Sequence, residues 1–410
     1  MAMTYDEIFE KLKKYDQTHL LKYYDELDDE RKAGLLKQIE DTDFEVLKMI
    51  ERKDEALKRG VITPIGSMEL PEINEKADKF RTIGLDAIKK GKVAAVLLAG
   101  GMGTRLGSDN PKGMYNIGLT RDVFIFQRLI ENLMDVVNEA GAYVPLYIMT
   151  SDKNNDATVS FFKEKNFFGY DSNYIHFFKQ EMAPASDYEG HIYLEDKDRL
   201  STSPNGNAGW YVSMVRAGLA KEAKESGVEY FNIFAVDNVL QRIADPVFVG
   251  AVIDGGFVSG AKVVRKVARD EKVGAMCLED GRPSIVEYYD MTDELMDAKN
   301  EKGDPAYNFG VILNYLFSLD ELDAIWKKNL PLHVVEKKIP YIDENAELVK
   351  PASPNGYKFE QLVLDMIHQM KNCLPFEVVR EKEFAPIKNP TGVDSVESAR
   401  ELCKLNGIEL

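Results

Sequence analysis

Short apolar runs alternate with amphipathic segments through the middle of the chain. Five runs have the length and the apolar composition of buried strands: 93–99, 145–149, 174–178, 230–236 and 261–267. Between them, apolar residues recur every three or four positions over 124–137 and 208–225, which predicts helices. This alternation predicts an α/β sheet with helices on both faces and a functional site at the carboxyl ends of its strands.

The two ends of the chain differ from this middle part. Up to about residue 60 the sequence is charged, with apolar residues at helical spacing, and a further helix is predicted over 73–88. After a loop rich in proline and glycine, the last part of the chain predicts a helix, a strand and a helix: 359–370, 376–380 and 396–406. We therefore expect an N-terminal helical region, a central α/β domain and a small C-terminal α/β region, at 1–85, 86–342 and 343–410.

The strand predicted at 93–99 breaks into a glycine-rich loop. Three of the four residues at 100–103 are glycine, and the cationic Arg105 and Lys112 follow. Backbone N–H groups without neighbouring Cβ atoms can cradle phosphates, and cationic side chains add charge to such a cradle. A dinucleotide fingerprint would need glycine or alanine where Leu106 stands, and the Gly-Lys-Ser/Thr of a P-loop is missing. Generic NAD sites and Walker-type ATP sites are therefore disfavoured.

Composition narrows the class of partner. The 52 basic and 69 acidic residues give a formal net charge of −17, which argues against nucleic-acid and anionic-membrane binding because both need a basic surface. Three widely spaced cysteines form neither a disulfide framework nor a zinc motif. The N-terminal segment has no secretory apolar core, and no run reaches ~18 consecutive apolar residues. We expect a cytoplasmic protein that acts on small molecules, and the sequence does not indicate its oligomeric state.

The glycine-rich loop resembles that of a known family. The pattern Leu-Ala-Gly-Gly-x-Gly-Thr-Arg-Leu at 98–106, with Pro-Lys-Gly-Met at 111–114, is similar to the nucleotide-binding motif of sugar nucleotidyltransferases. It looks most like that of eukaryotic-type UDP-N-acetylglucosamine pyrophosphorylases, and matching segments continue in family order to about residue 392. The resemblance implies a Rossmann-like, GT-A-like nucleotidyltransferase fold with a mixed sheet. It also implies UTP, a UDP-sugar, a sugar 1-phosphate and pyrophosphate as ligands.

The resemblance assigns nucleotide-binding roles to residues of four segments. They are Leu98, Ala99, Gly100, Gly101, Gly103, Thr104, Gln180, Gly206 and Lys358. In the family the glutamine that matches Gln180 contacts the uracil. Taken alone, the Asn-Gly segment at 205–207 is typical of a turn before a helix, and a lysine such as Lys358 is typical of a solvated surface.

Sugar-binding roles follow from the same resemblance. They fall on Asn207, Glu287, Tyr288, Asn308 and Gly310. Phe309 stands where the family has a small residue that faces the sugar and its acetamido group. A bulky ring at this place predicts a narrower region for an N-acetyl group.

Charged residues complete the expected site. With the resemblance, Arg105, Lys112 and Lys388 are the expected catalytic residues. Because Lys388 follows Lys112 by about 275 residues, the C-terminal region must fold over the cleft to bring both to one substrate, and we expect this region to act as a lid. Asp237 directly follows an apolar strand, where α/β folds hold metals and phosphates, although a helix-capping aspartate would explain it about as well. Together with the glycine loop, Asp237 is the leading candidate ligand for Mg²⁺, which takes few protein oxygens and otherwise uses water and phosphates.

The sequence therefore predicts a uridylyltransferase that forms a UDP-sugar and pyrophosphate, with N-acetylglucosamine 1-phosphate as the favoured acceptor. Glucose 1-phosphate and galactose 1-phosphate remain alternatives. Two further alternatives are a thymidylyl- or guanylyltransferase of the same fold and a non-catalytic protein that binds nucleotide sugars. The presence of Arg105, Lys112, Asp237 and Lys388 together favours an enzyme, because a binding protein does not require all four.

Overall fold

The computed structural model describes residues 3–51, 59–326, 330 and 332–410. The chain forms two compact units, each built from three separate stretches of sequence. The first unit contains 1–58, 181–209 and 330–363, and the second contains 59–180, 210–329 and 364–410. These interleaved units do not correspond to the three consecutive regions expected from the sequence, and the division at residues 85 and 342 stays a prediction. Among the described residues, no helix is long and apolar enough to cross a membrane.

Thirteen α-helices are present in the described residues. In chain order they are α1 Tyr5–Lys14, α2 Asp29–Asp41, α3 Leu70–Lys89, α4 Ile125–Ala140, α5 Asn155–Glu164, α6 Trp210–Arg216, α7 Leu219–Glu225, α8 Pro246–Asp254, α9 Asp293–Asp297, α10 Leu319–Ile325, α11 Val363–Gln369, α12 Arg380–Glu383 and α13 Val396–Leu405. Shorter 3₁₀ turns occur between them. One of them contains Lys112, at Lys112–Met114 in the segment after the glycine loop.

A ten-stranded mixed sheet forms the second unit. Its strands are β1 Ile62–Thr63, β2 Val93–Leu98, β3 Leu146–Thr150, β4 Ile175–Lys179, β5 Tyr230–Ala235, β6 Ser259–Arg265, β7 Ala275–Glu279, β8 Arg282–Val286, β9 Phe309–Ser318 and β10 Leu374–Glu377. The main path runs β1-β7-β9-β5-β2-β3-β4, with β6 paired to β9 and β10, and β8 paired to β7. The strands β5, β2, β3 and β4 are parallel, whereas β9 runs antiparallel to β5.

The central strand β2 is buried on both faces of the sheet. All six of its residues are buried and apolar, as expected for a parallel strand between two helical layers. On one face α3 and α8 pack so closely that a Cβ on Gly84 would lie 1.9 Å from the carbonyl oxygen of Pro246. On the other face Trp210 of α6 contacts the rings of Phe231 and Phe317. The predicted α/β sheet with helices on both faces is confirmed.

The predicted strands of the middle part are confirmed to within two residues at each end, whereas two helix predictions are wrong. The helix expected over 208–225 is two helices, α6 and α7, because Gly218 between them has a φ of +80°. The helix expected over 359–370 begins only at Val363, because Gly356–Glu360 is a strand paired with His333–Lys337. Cross-strand pairing has overridden the local helical spacing here.

The first unit has its own apolar core. Ile8 and Leu12 of α1 and Leu35 and Ile39 of α2 are fully buried, and they cluster with apolar residues of 192–200. The helical spacing near the N-terminus therefore predicted real helices. A cavity of about 670 Å³ lies in this unit, and none of the predicted site residues line it.

Candidate active site

The glycine-rich loop leaves β2 at the edge where the parallel strands end. Two backbone hydrogen bonds fold it back on itself, from Gly103 N–H to the Asn110 carbonyl at 2.8 Å and from Lys112 N–H to the Gly101 carbonyl at 3.1 Å. These bonds bring Lys112 beside the start of the loop although it lies eleven residues further on. Thr104 and Arg105 are exposed at the tip of the loop, which leaves them accessible to a ligand.

A buried asparagine that has no assigned role in the sequence anchors this loop. Asn154, at the start of α5, is completely buried, and its Nδ2 donates to the carbonyl oxygens of Ala99 at 2.9 Å and Gly101 at 3.4 Å. Its Oδ1 accepts a hydrogen bond from Ser151 N–H at 2.7 Å. The loop after β2 and the turn after β3 are therefore joined by one side chain.

Gln180, the residue expected to contact uracil, lies directly against the glycine loop. Gln180 directly follows β4, and its side chain is buried. Its backbone N–H donates to the backbone carbonyl of Thr150 at the end of β3. A Cβ built on Gly100 would lie 2.4 Å from Gln180 Nε2, so only glycine leaves room for this amide. An amide has both a donor and an acceptor, which suits it to the edge of a base.

Charged side chains from three separate segments of the sequence come together at this edge of the sheet: Arg105 and Lys112, Asp237, and Lys388. Lys112 Nζ lies 3.8 Å from Asp237 Oδ2, and both side chains are largely buried. Burial lowers the pKa of the Lys112 ammonium group, the carboxylate of Asp237 acts to raise that pKa, and the positive charges of Lys388 and Arg105 lower it further. Lys112 thus shares a region with two further cations and the Asp237 carboxylate, and a second carboxylate, Asp394, pairs with Lys388. Positive charge still exceeds negative charge here, as expected for a site that holds polyphosphates.

Lys388 reaches this region because the segment before it runs beside the end of β5. Ile387 N–H donates to the Asp237 carbonyl at 2.9 Å, and Ala385 N–H donates to Asn238 Oδ1 at 2.9 Å. The Nζ of Lys388 donates to Asp394 Oδ2 at 2.9 Å. The preceding strand β10 belongs to the main sheet, so the segment that carries Lys388 is tied to the sheet on two sides.

Asp237 is the candidate metal ligand. Its side chain keeps about a quarter of its surface exposed beside Lys112. The described residues contain no group of three or more histidine, cysteine, aspartate or glutamate side chains that could hold a metal ion. This arrangement does not suit an ion held by protein alone. It fits Mg²⁺, which is held by one or two carboxylates together with water and substrate phosphates.

The register of the sheet decides which candidate sugar-binding residues share a face. Gly310 in β9 and Val286 at the end of β8 both pair with Ala275 of β7, so these three residues point to one face. Phe309 and Glu287 are each one residue away from that row, and they therefore lie on the opposite face. Burial raises the pKa of Glu287, and the positive charge of Lys388 partly offsets this, which puts the carboxyl group within electrostatic range of the charged cluster.

The other sugar candidates of this unit have simple local surroundings. A Cβ on Gly310 would lie 2.6 Å from Val273 Cγ2, so packing alone accounts for the glycine. Asn308 is half-buried, and its carbonyl accepts a hydrogen bond from Lys266 N–H at 2.9 Å. Tyr288 is exposed. Their sugar-binding roles stay predictions.

Three candidate ligand-binding residues belong to the first unit. Gly206 has a φ of +90°, and a Cβ there would lie 2.1 Å from the Gln361 carbonyl oxygen. Asn207 Oδ1 accepts a hydrogen bond from Val363 N–H at 2.8 Å. Lys358 lies in the strand Gly356–Glu360. The turn expected from Asn-Gly is present, and the ligand-binding roles of these residues stay predictions.

Comparison with known proteins places the chain in a family. Residues 44–407 match the family model described as UTP--glucose-1-phosphate uridylyltransferase, which covers most of the chain. The chain belongs to this family.

Curated relatives and solved structures of this uridylyltransferase family agree with that placement. The mouse UDP-N-acetylhexosamine pyrophosphorylase-like protein 1 is 37% identical over 94% of this chain and 80% of the relative. The UDP-N-acetylglucosamine pyrophosphorylase of Saccharomyces cerevisiae is 36% identical over 96% of this chain and 85% of the relative. The solved structure of the Trypanosoma brucei uridine diphosphate N-acetylglucosamine pyrophosphorylase superposes with a TM-score of 0.85 at 26% identity, covering 98% of this chain and 85% of that chain. The predicted family and fold class are confirmed.

Proposed function

We propose that this protein transfers the uridylyl group of UTP to a sugar 1-phosphate, with N-acetylglucosamine 1-phosphate as the preferred acceptor. The observation that carries the proposal is the cluster of Arg105, Lys112, Lys388 and Asp237 beside a glycine loop that holds Gln180. Relatives named UDP-N-acetylglucosamine pyrophosphorylase and UDP-N-acetylglucosamine diphosphorylase support the N-acetyl sugar. The family description names glucose 1-phosphate, which makes that sugar the main competing acceptor.

In this reaction a phosphate oxygen of the sugar 1-phosphate forms a new bond to the α-phosphorus of UTP. The bond from that phosphorus to the bridging oxygen of the β-phosphate breaks, and pyrophosphate leaves with the electron pair. The nucleophile is already an anion, so no general base is required. Catalysis then consists of positioning two anionic substrates and offsetting their charge.

Each charged residue has a role that its position supports. Backbone N–H groups of the glycine loop and the amide of Gln180 hold the nucleotide. Arg105 and Lys112 offset the charge of the departing pyrophosphate, and Lys388 holds the attacking phosphate. Asp237 would hold Mg²⁺, which supplies positive charge next to the α-phosphate when bound. A cytoplasmic location fits this set of ligands.

The test is release of pyrophosphate from UTP with a panel of sugar 1-phosphates. We expect N-acetylglucosamine 1-phosphate to give the highest kcat/KM among the N-acetylglucosamine, glucose and galactose forms. With that acceptor, UTP should exceed ATP, GTP, CTP and dTTP by ~10-fold or more, which is ~1.4 kcal/mol of discrimination. Equal turnover with dTTP or GTP would replace the uridylyl assignment by a thymidylyl or guanylyl one. Binding of UDP-sugars without any release of pyrophosphate would point to a non-catalytic protein.

A further inference from the structure

A completely buried lysine lies next to the candidate site without being part of it. Lys262 is in β6, and none of its side chain is exposed. Its Nζ lies 2.6 Å from Glu383 Oε2, 3.0 Å from Asp245 Oδ2 and 3.1 Å from the Arg242 carbonyl oxygen. An ammonium group has three donors, and these three acceptors use all of them.

The charge of this lysine is not needed to fill the core. A buried ion pair loses its hydration, and apolar side chains of similar volume often stabilise a protein equally well. Burial raises the pKa of Glu383, whereas Lys262 holds the pKa of Asp245 low, as expected when one ammonium group serves two carboxyl groups. What the charged group adds over an apolar one is a defined geometry among the three segments that it joins.

Those three segments include the one that carries Lys388. Lys262 belongs to β6, and Arg242 and Asp245 lie in the stretch between β5 and α8. Glu383 ends α12 and is five residues before Lys388. The main-chain oxygen of Glu383 also accepts a hydrogen bond from Asn238 Nδ2 at 2.7 Å. Side chain and backbone of Glu383 are therefore both held at the start of the segment that runs to Lys388.

We propose that Lys262 is a positioning residue for uridylyl transfer, which fixes Glu383 and thereby sets Lys388 against Lys112 and Asp237. The inference rests on the proposed role of Lys388. It predicts that loss of Lys262 harms the reaction only as long as Lys388 is present, because the effect passes through that residue.

A double-mutant cycle on kcat tests this dependence. In the otherwise unchanged protein, Lys262→Met should lower kcat by about 10-fold or more, since a displacement near 1 Å at a reacting group has effects of this size. The KM for UTP should change by less than about 3-fold, because the glycine loop and Gln180 are held by other contacts. In the Lys388→Ala background, Lys262→Met should lower kcat by less than about 2-fold.

Lys262→Met leaves two buried carboxylates without their shared cation, so a second variant guards against loss of the fold. Glu383→Gln keeps the shape of the side chain and leaves Asp245 to pair with Lys262, and we expect the same cycle to show a loss of about 5-fold that disappears in the Lys388→Ala background. Glu321→Gln is the matched control. Glu321 of α10 is also buried and pairs with Lys371 at 3.2 Å, but it lies beyond the opposite end of β9, so kcat should stay at the starting value.

The outcomes separate this inference from the proposed function. If Lys388→Ala lowers kcat but neither Lys262→Met nor Glu383→Gln does, the positioning role is wrong while the role of Lys388 stands. If the two variants lower kcat equally with and without Lys388, they act by another route and the positioning role is wrong. If Lys388→Ala itself has the starting kcat, both the role of Lys388 and the positioning role fall.

Discussion

A single methyl group at Gly100 should damage recognition of the base and leave the fold intact. The Cβ of an alanine there would lie 2.4 Å from Gln180 Nε2 and 2.9 Å from Gln180 Oε1. The φ of Gly100 is not in the left-handed region, so the backbone accepts alanine without strain. The neighbour that must move is the end of a flexible side chain, and this keeps the cost to stability small.

The size of the effect follows from the distance. Ordinary contact begins near 3.4 Å, so the Gln180 amide must retreat by about 1 Å. A hydrogen bond of about 2.9 Å would then stretch beyond the range in which it forms. If the amide makes two neutral hydrogen bonds to uracil at about 1 kcal/mol each, their loss costs about 2 kcal/mol, or about 30-fold in kcat/KM for UTP.

The assay compares kcat/KM for UTP and CTP in the release of pyrophosphate. In Gly100→Ala the value for UTP should fall by about 30-fold and the value for CTP by less, so that the preference for UTP narrows. Gly101→Ala is the matched comparison in the same loop, because no atom lies within 4 Å of its added Cβ, and it should keep the ratio of UTP to CTP. In a Gln180→Ala background, Gly100→Ala should cause no further loss. An unchanged ratio in Gly100→Ala, or an equal loss in both backgrounds, would refute the argument.

Two further predictions concern the charges and the sugar. Lys112 acts as a cation whose pKa is lowered by burial, so activity should be lost as pH rises through that pKa. Asp237→Asn removes the carboxylate that acts to raise the pKa of Lys112, so this loss of activity should occur at a lower pH in the variant. The variant should also need a higher Mg²⁺ concentration for its half-maximal rate. An unchanged Mg²⁺ dependence with a normal melting temperature would leave Asp237 without a metal role. Phe309 lies on the same face of the sheet as Glu287, beneath the Arg265 guanidinium. If its ring narrows the space for the acetamido group, Phe309→Ala should raise the rate with N-acetylglucosamine 1-phosphate relative to that with glucose 1-phosphate. An unchanged ratio of the two rates would place the acetamido group elsewhere.

Local patterns predicted the parts of the molecule that depend on local physics. The strand β2 is a run of apolar residues long enough to cross the sheet, and the glycines after it mark a loop regardless of what surrounds them. Asp237 is predictable because it follows the apolar run that forms β5, and parallel strands deliver their carboxyl ends to one edge of a sheet. In each of these cases the pattern that supports the prediction lies within about ten residues of the predicted strand, loop or site residue.

Other features depend on contacts that no short stretch contains. The helical spacing after Phe359 is real, but pairing of Gly356–Glu360 with a strand some twenty residues earlier decides its conformation. No local pattern marks Asn154, and only the folded chain shows that its amide reaches the carbonyls of the glycine loop. The burial of Lys262 within an apolar strand is likewise not visible locally, because its two carboxylate partners lie 17 and 121 residues away.

Charge balance explains how an acidic protein can perform this reaction, and it supports the proposal of a divalent ion at Asp237. The protein as a whole carries −17, yet the three cations Arg105, Lys112 and Lys388 outnumber the two carboxylates nearest to them, Asp237 and Asp394. A sugar 1-phosphate brings about −2 and UTP about −4 at pH 7, so the substrates exceed the local surplus of positive charge by several units. A divalent ion at Asp237 would close much of this gap and would also separate that carboxylate from the phosphates, which it would otherwise repel. The same balance depends on where Lys388 lies relative to the substrates, and the proposed role of the buried pair of Lys262 and Glu383 is to hold the segment that carries Lys388 in place.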